Sequence, residues 1–178
     1  MGALSEPLPF PEFPPTIQSR ALAAFLRLLR DDAHIARRYA LIDEYETRDL
    51  LIDLETFTLP ALALSVDAFD MEREGGNRMG RDTTVISMWV LDEPTSTGSG
   101  SQEGLQLRFI GYVRTRLEST MGVLRDEDGP ITEALLNVQR IPRASLFRNR
   151  TGNLIAIGKE VRFAFESKTK VTTNEFDE

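Results

Sequence analysis

One stretch limits the folds open to this chain more than any other. Thr84-Val85-Ile86-Ser87-Met88-Trp89-Val90-Leu91 is apolar at nearly every position, the pattern of a central strand covered on both faces. A second apolar stretch, Leu59-Pro60-Ala61-Leu62-Ala63-Leu64-Ser65-Val66, puts Leu62, Leu64 and Val66 on one face and small residues on the other. These two stretches predict strands over 60–67 and 83–92, paired antiparallel. The segment between them, Asp70 to Asp82, has three glycines and seven charges and reads as a mobile loop far longer than a hairpin needs.

The rest of the chain supplies cover for that pair. Thr16 is placed to cap a helix over 16–31, in which Leu22, Phe25, Leu26 and Leu29 form one apolar stripe and Arg20, Arg27 and Arg30 lie off it. A second helix, about 105–121, sets Phe109, Ile110, Val113, Leu117 and Met121 on a stripe and ends at Gly122. Between strand and helix, residues 93–104 have the Ser/Gly composition of a linker. Ala33–Leu41 fits an extension of the first helix, and Leu50–Leu54 a strand or a short helix.

Near the C-terminus, Ile155, Ile157, Val161, Phe163 and Phe165 share a parity. Asn149-Arg150-Thr151-Gly152-Asn153 supplies the turn from a strand around 143–148. The expectation is an α+β protein: a small antiparallel β-sheet of about four strands with two helices packed on it. A Pro-rich extended arm at 1–15 precedes the single domain at 16–167, and a polar tail follows at 168–178. In the arm, Pro7, Pro9, Pro11, Pro14 and Pro15 alternate with Leu8, Phe10 and Phe13. That order excludes a helix, and its two phenylalanines suit packing on the domain or on a neighbour.

Length fits one domain. The chain has no cysteine, which removes disulfides and thiolate metal sites. No run reaches the roughly 18 apolar residues of a membrane helix. The first residues carry neither a basic region nor an apolar signal core, so synthesis in the cytosol is expected. The net charge of −7 argues against nucleic-acid binding through the whole surface.

The sequence offers little for catalysis. His34 is the only histidine, and its helical, Arg-flanked setting suits a solvated side chain better than a triad or a metal ligand. Gly75-Gly76-Asn77-Arg78-Met79-Gly80 lacks the Lys-Ser/Thr of a phosphate-binding loop. Asp126, Asp128 and Gly129 lack the remaining ligand positions of a calcium loop. Asp43, Glu44, Glu46, Asp49, Asp53 and Glu55 form an acidic cluster that could hold a cation or paired catalytic carboxylates. No cofactor, metal or enzymatic activity is expected.

Charge is segregated, however. No acid lies between Glu133 and Glu160, while Arg140, Arg143, Arg148, Arg150 and Lys159 do. A basic hairpin on an acidic protein suits docking to a partner's acidic surface, where Arg pairs bidentately. The candidate partner contacts are therefore Phe10 and Phe13 of the arm, Arg73, Arg78 and Arg81 of the 70–82 segment, and Arg140, Arg143, Arg148 and Arg150.

The order of elements, helix, strand, long loop, strand, helix and hairpin, together with the Leu-Pro-Ala-Leu start of Leu59–Val66, resembles bacteriophage tail terminator proteins, also called minor tail or tail-completion proteins. The matching pieces are the Ile17–Leu29 helix, Leu59–Val66, Val85–Leu91, the Leu105–Met121 helix and Leu154–Phe165. The resemblance implies a non-enzymatic virion protein, assembled in the bacterial cytoplasm. Its implied form is a homohexameric ring that caps the tail tube and joins it to the neck or connector. Its implied partners are further copies of itself, the tail tube protein, neck proteins and DNA passing through the lumen, with no membrane. The Pro-rich arm and the 93–104 loop depart from that pattern. Another neck, connector or head-completion adaptor, or a monomeric protein-binding module, stays open beside it.

Overall fold

Thr16 caps the first helix as its sequence predicts, its hydroxyl oxygen accepting the Ser19 backbone N–H at 3.2 Å. The computed structural model describes residues 16–45, 58–73, 79–94, 99–140 and 145–170, and only the backbone of 68–73, 79–80, 99–103 and 168–170. The helices are α1 (Ile17–Asp31), α2 (Ala33–Arg38) and α3 (Ser99–Ser119). The strands are β1 (Leu41–Glu44), β2 (Ala61–Arg73), β3 (Met79–Asp92), β4 (Arg125–Asp126), β5 (Gly129–Pro130), β6 (Ala134–Arg140), β7 (Ser145–Arg148) and β8 (Leu154–Lys170).

The architecture is α+β, but the sheet is larger than the expected four strands and is mixed. Six strands follow the order β1-β2-β3-β8-β6, with β7 also on β8. β1 pairs parallel to β2, Ile42 opposite Leu62, whereas β2–β3, β3–β8, β6–β8 and β7–β8 are all antiparallel. The expected pairing of the two apolar stretches is present, with Leu62 opposite Val90 and Leu64 opposite Met88. β6 and β7 lie end to end along one side of β8 as two pieces of a single edge strand. A separate two-stranded ribbon, β4–β5, carries the acidic turn.

Four boundaries differ from expectation. Residues 70–73 and 79–82, read as part of a loop, are strand, paired from Asp70–Thr83 to Arg73–Gly80, and the rest of that segment, 74–78, lies outside the described residues. Polar side chains hid the ladder, because backbone pairing does not require an apolar face once a strand runs past the core. α3 begins at Ser99, within the segment read as a linker. Asp32 ends α1 with extended backbone (φ −78°, ψ 111°) and starts α2 as its N-cap, so the first helix does not continue through Ala33–Leu41. β8 runs to Lys170, past the expected boundary at 167. Leu50–Leu54, the arm and residues 171–178 lie outside the described residues.

The main core lies on one sheet face. There α1 and α3 set Leu22, Phe25, Leu29, Phe109, Ile110, Val113 and Leu117 against Leu62, Leu64, Ile86, Met88, Val90, Val161, Phe163 and Phe165. Phe25 stands edge-on to both Phe163 and Phe165, with centroids 5.1 and 5.8 Å away. Met121 falls off the predicted stripe: it lies beyond α3 at φ 54° and is 78% exposed. Gly122 (φ 71°) then closes the helix, its N–H donating to Leu117 O at 2.8 Å, a conformation glycine adopts without steric cost.

The opposite face carries a smaller cluster of Ala61, Ala63, Leu91, Phe147 and Ala156, with Trp89 packed against it. Trp89 is thus half-buried, on the face of β3 opposite to the one that α1 and α3 cover. Gly158 permits this packing, since a Cβ there would sit 2.5 Å from the Phe147 ring. Beside the cluster a polar row crosses three strands. Ser87 donates to Glu160 at 3.0 Å, Arg162 donates to the same carboxylate at 2.8 Å, and Arg162 pairs with Asp67 at 3.4 Å.

Candidate assembly surface

A rigid helical layer holds this sheet in place, and Asp32 is its hub. The Asp32 carboxylate accepts the N–H groups of His34 and Ile35 at 3.0 and 3.3 Å, the Tyr112 hydroxyl at 2.9 Å and Arg116 Nε at 3.0 Å. Burial alone would push its pKa up. The Tyr112 hydrogen bond, the Ile35 and His34 N–H groups and the Arg116 charge outweigh burial and hold it below the ordinary aspartate value. One side chain thereby joins the α1–α2 break to the middle of α3. His34, exposed beside it, makes an edge contact with the Tyr112 ring at 6.1 Å.

A second polar cluster sits under the N-terminal half of α3. Buried Gln106 donates to Asp92 at 2.9 Å, to Ile157 O at 3.2 Å and to Val90 O at 3.4 Å. Arg38 reaches Asp92 and the Tyr39 hydroxyl, both at 3.3 Å, and burial pushes the Tyr39 phenol far up. Lys159, read from sequence as part of a basic surface, is only 2% exposed and drops out of that surface. Its spacing carried the signal, since Lys159 shares the parity of Ile157, Val161 and Phe163, but its charge was read as surface.

The acidic turn is likewise committed within the fold. Arg20 Nε donates to Asp126 at 2.6 Å and its guanidinium reaches Asp128 at 3.4 Å, and that hydrogen bond lowers the Asp126 pKa. Among the described residues, no group of three or more His, Asp or Glu side chains is arranged to hold a metal ion. Among the described residues, no helix is long and apolar enough to cross a membrane.

The candidate contacts separate into three groups. Phe10, Phe13, Arg78 and Arg143 lie outside the described residues. Arg73 pairs opposite Gly80 in the β2–β3 ladder, its side chain undescribed. Arg81 lies in the same ladder and is spent on Glu166 at 3.2 Å. Arg140, Arg148 and Arg150 fall on the edge formed by β6, β7 and the following turn, Arg140 opposite Val161 and Arg148 further along, opposite Leu154. All three are exposed, and Arg148 donates to Gly152 O at 2.8 Å.

Two features of that edge were not legible beforehand. Leu136 and Leu146 are 51% and 55% exposed on β6 and β7. Leu136 and Met121 also line a groove of about 350 Å³ with Arg114 and Glu118. Leu136 projects because the register slips between Leu135 and Asn137, a bulge that no hydrophobic pattern reveals. Asp43 and Glu44 fall on β1, the other edge of the same sheet. The remaining acids of the 43–55 cluster lie outside the described residues. No protein-family model matches the chain, and no curated protein is a significant match to it.

Proposed function

We propose that this chain is a non-enzymatic structural subunit of a bacteriophage virion. It forms a homo-oligomeric ring, six copies by the resemblance, at the head-proximal end of the tail. There it caps the tail tube and joins it to the neck as a tail terminator. The observation that carries this reading is the three-stranded β2–β3–β8 ladder, which continues to Arg73–Gly80 and Met79–Lys170. Among the residues whose side chains are described, the outermost that these strands give the main core are Val66, Ile86 and Phe165.

A self-sufficient subunit gains little stability from paired backbone beyond its core, whereas a projecting ladder gives a neighbour or the tail tube a rigid surface to grip. The order of a long helix, the β2–β3 pair, a second long helix and the β7–β8 hairpin supports the same reading. So does the net charge of −7 per copy, because a ring of acidic subunits repels DNA phosphates and lets the duplex pass without sticking.

The test is negative-stain electron microscopy of the purified protein mixed with tail tubes of its own phage. Rings seated on tube ends, with tube length fixed at the capped end, are the expected result. Bare tubes and scattered single subunits at every concentration would overturn the proposal.

A further inference from the structure

We infer that the ring closes head to tail through the two edges of the sheet, the Arg140–Arg148–Arg150 edge of one copy docking on the Asp43–Glu44 edge of the next. This inference rests on the ring reading above and names the surface that makes it.

Four observations carry it. First, the topology sets β1 and the β6–β7 strand at opposite ends of one sheet, so the two charges face away from each other within a subunit and towards each other between subunits. Second, the basic edge holds no acid from Ala134 to Lys159. Among the described residues, neither Arg140 nor Arg150 has a carboxylate within ion-pair distance, and Arg148 has only the Gly152 carbonyl. Third, the same edge exposes Leu136 and Leu146, and an edge strand carrying exposed apolar side chains is one that natural proteins cover.

Fourth, the acidic edge offers a complement. Asp43 is held by Arg30 at 3.1 Å, and that guanidinium also donates to Ile42 O. The Glu44 N–H donates to Asp43 Oδ1 at 2.9 Å, and its exposed carboxylate has no ion-pair partner among the described residues. Leu41 and Ile42 are only partly buried there.

Strand direction is compatible as well. β1 runs with β2, and three antiparallel steps separate β2 from β6, so β1 and β6 run in opposite senses. A second copy in the same orientation therefore brings its β1 alongside β6 in the antiparallel sense, a contact made by side chains because Arg30 already takes Ile42 O and Asp43 the Glu44 N–H. The two contacting surfaces are different, so the contact is heterologous, and a heterologous contact closes into a ring when its rotation permits.

The experiment is a charge swap read by light scattering and mass photometry. One variant, Arg148→Glu with Arg150→Glu, makes both edges acidic. The other, Asp43→Asn with Glu44→Lys, makes both basic, and the asparagine amide oxygen still accepts from Arg30. Each variant alone is expected to dissociate, its subunit dissociation constant rising about tenfold or more. An equimolar mixture is expected to regain the oligomer, since every junction then joins opposite charges. Salt should weaken the wild-type and mixed assemblies alike.

Far-ultraviolet circular dichroism and thermal melting confirm that each variant is folded, and a misfolded double variant is replaced by its single substitutions Arg150→Glu and Glu44→Lys. If wild type assembles and both variants assemble equally well, the edge pairing is wrong while the ring stands. If both variants dissociate and mixing restores nothing, these two edges do not meet. A wild type that is monomeric with and without tail tubes removes the ring reading itself.

Discussion

Replacing Asp32 tests the helical layer at its junction. In Asp32→Ala, α2 loses its N-cap, worth about 1 kcal/mol. Tyr112 loses a hydrogen bond to a charged acceptor, worth about 1.5–3 kcal/mol when buried. Tyr112 is 36% exposed, which favours the lower end of that range. The Arg116 side chain is 50% exposed, so its ion pair adds under about 1 kcal/mol. Asp32→Ala should therefore destabilise by about 3 kcal/mol, a large share of the roughly 5–15 kcal/mol that holds a domain of this kind.

Asp32→Asn keeps an oxygen for the cap and removes the charge, so it should cost about half as much. The pH dependence separates the two contributions. The folded pKa of Asp32 is depressed, so its charge stabilises fully above the ordinary value of 3.8 and that stabilisation is lost as pH falls through the folded pKa. The gap between wild type and Asp32→Asn should hold steady from pH 7 to about pH 5 and close in stronger acid. Urea denaturation across that range is the assay. An Asp32→Ala variant within about 0.5 kcal/mol of wild type, or a gap that widens in acid, would refute the assignment.

Other substitutions locate the core and its closures. Phe25→Ala should cost about 3–5 kcal/mol in urea denaturation, because Phe25 is fully buried against Phe163 and Phe165. Trp89→Ala should cost less, about 1–3 kcal/mol, since Trp89 is half-buried on the face away from the helices. A reversed order would mean that the covered face has been misplaced. Gly122→Ala should lower thermal stability by at least about 1 kcal/mol, because its positive φ and the adjacent Leu135 backbone both exclude a Cβ. An unchanged melting temperature would contradict that closure of α3.

How much of this fold was legible depended on whether a residue's neighbours were local. The Thr16 cap, the Leu22–Phe25–Leu29 stripe, the Leu62–Leu64 pair and the turn before β8 are fixed by spacing alone, and the structure contains each of them. β1 was not legible, because four residues packed parallel on β2 leave no alternation to read. The outer parts of β2 and β3 were missed because their charges imitate a loop. The start of α3 was missed because Ser99, Gly100 and Ser101 are weak helix formers overruled by the helix that follows them.

The candidate surface was half visible. The run of arginines without acids is a sequence fact, but its position on one sheet edge, opposite Asp43 and Glu44, depends on strand order. Lys159 shows the converse, a charge counted as surface that the pleat turns inward. Leu136 and Leu146 look like core residues in the sequence and are exposed because they lie on the edge strand, Leu136 at its bulge.

Native mass spectrometry of the purified full-length chain, over a range of concentrations and with or without tail tube protein, tests the ring most directly. The subunit mass is 20.0 kDa. The expected result is a dominant closed oligomer at one integral multiple of that mass, six-fold by the resemblance. A single 20.0 kDa species under every condition would contradict the account and leave a solitary binding module in its place.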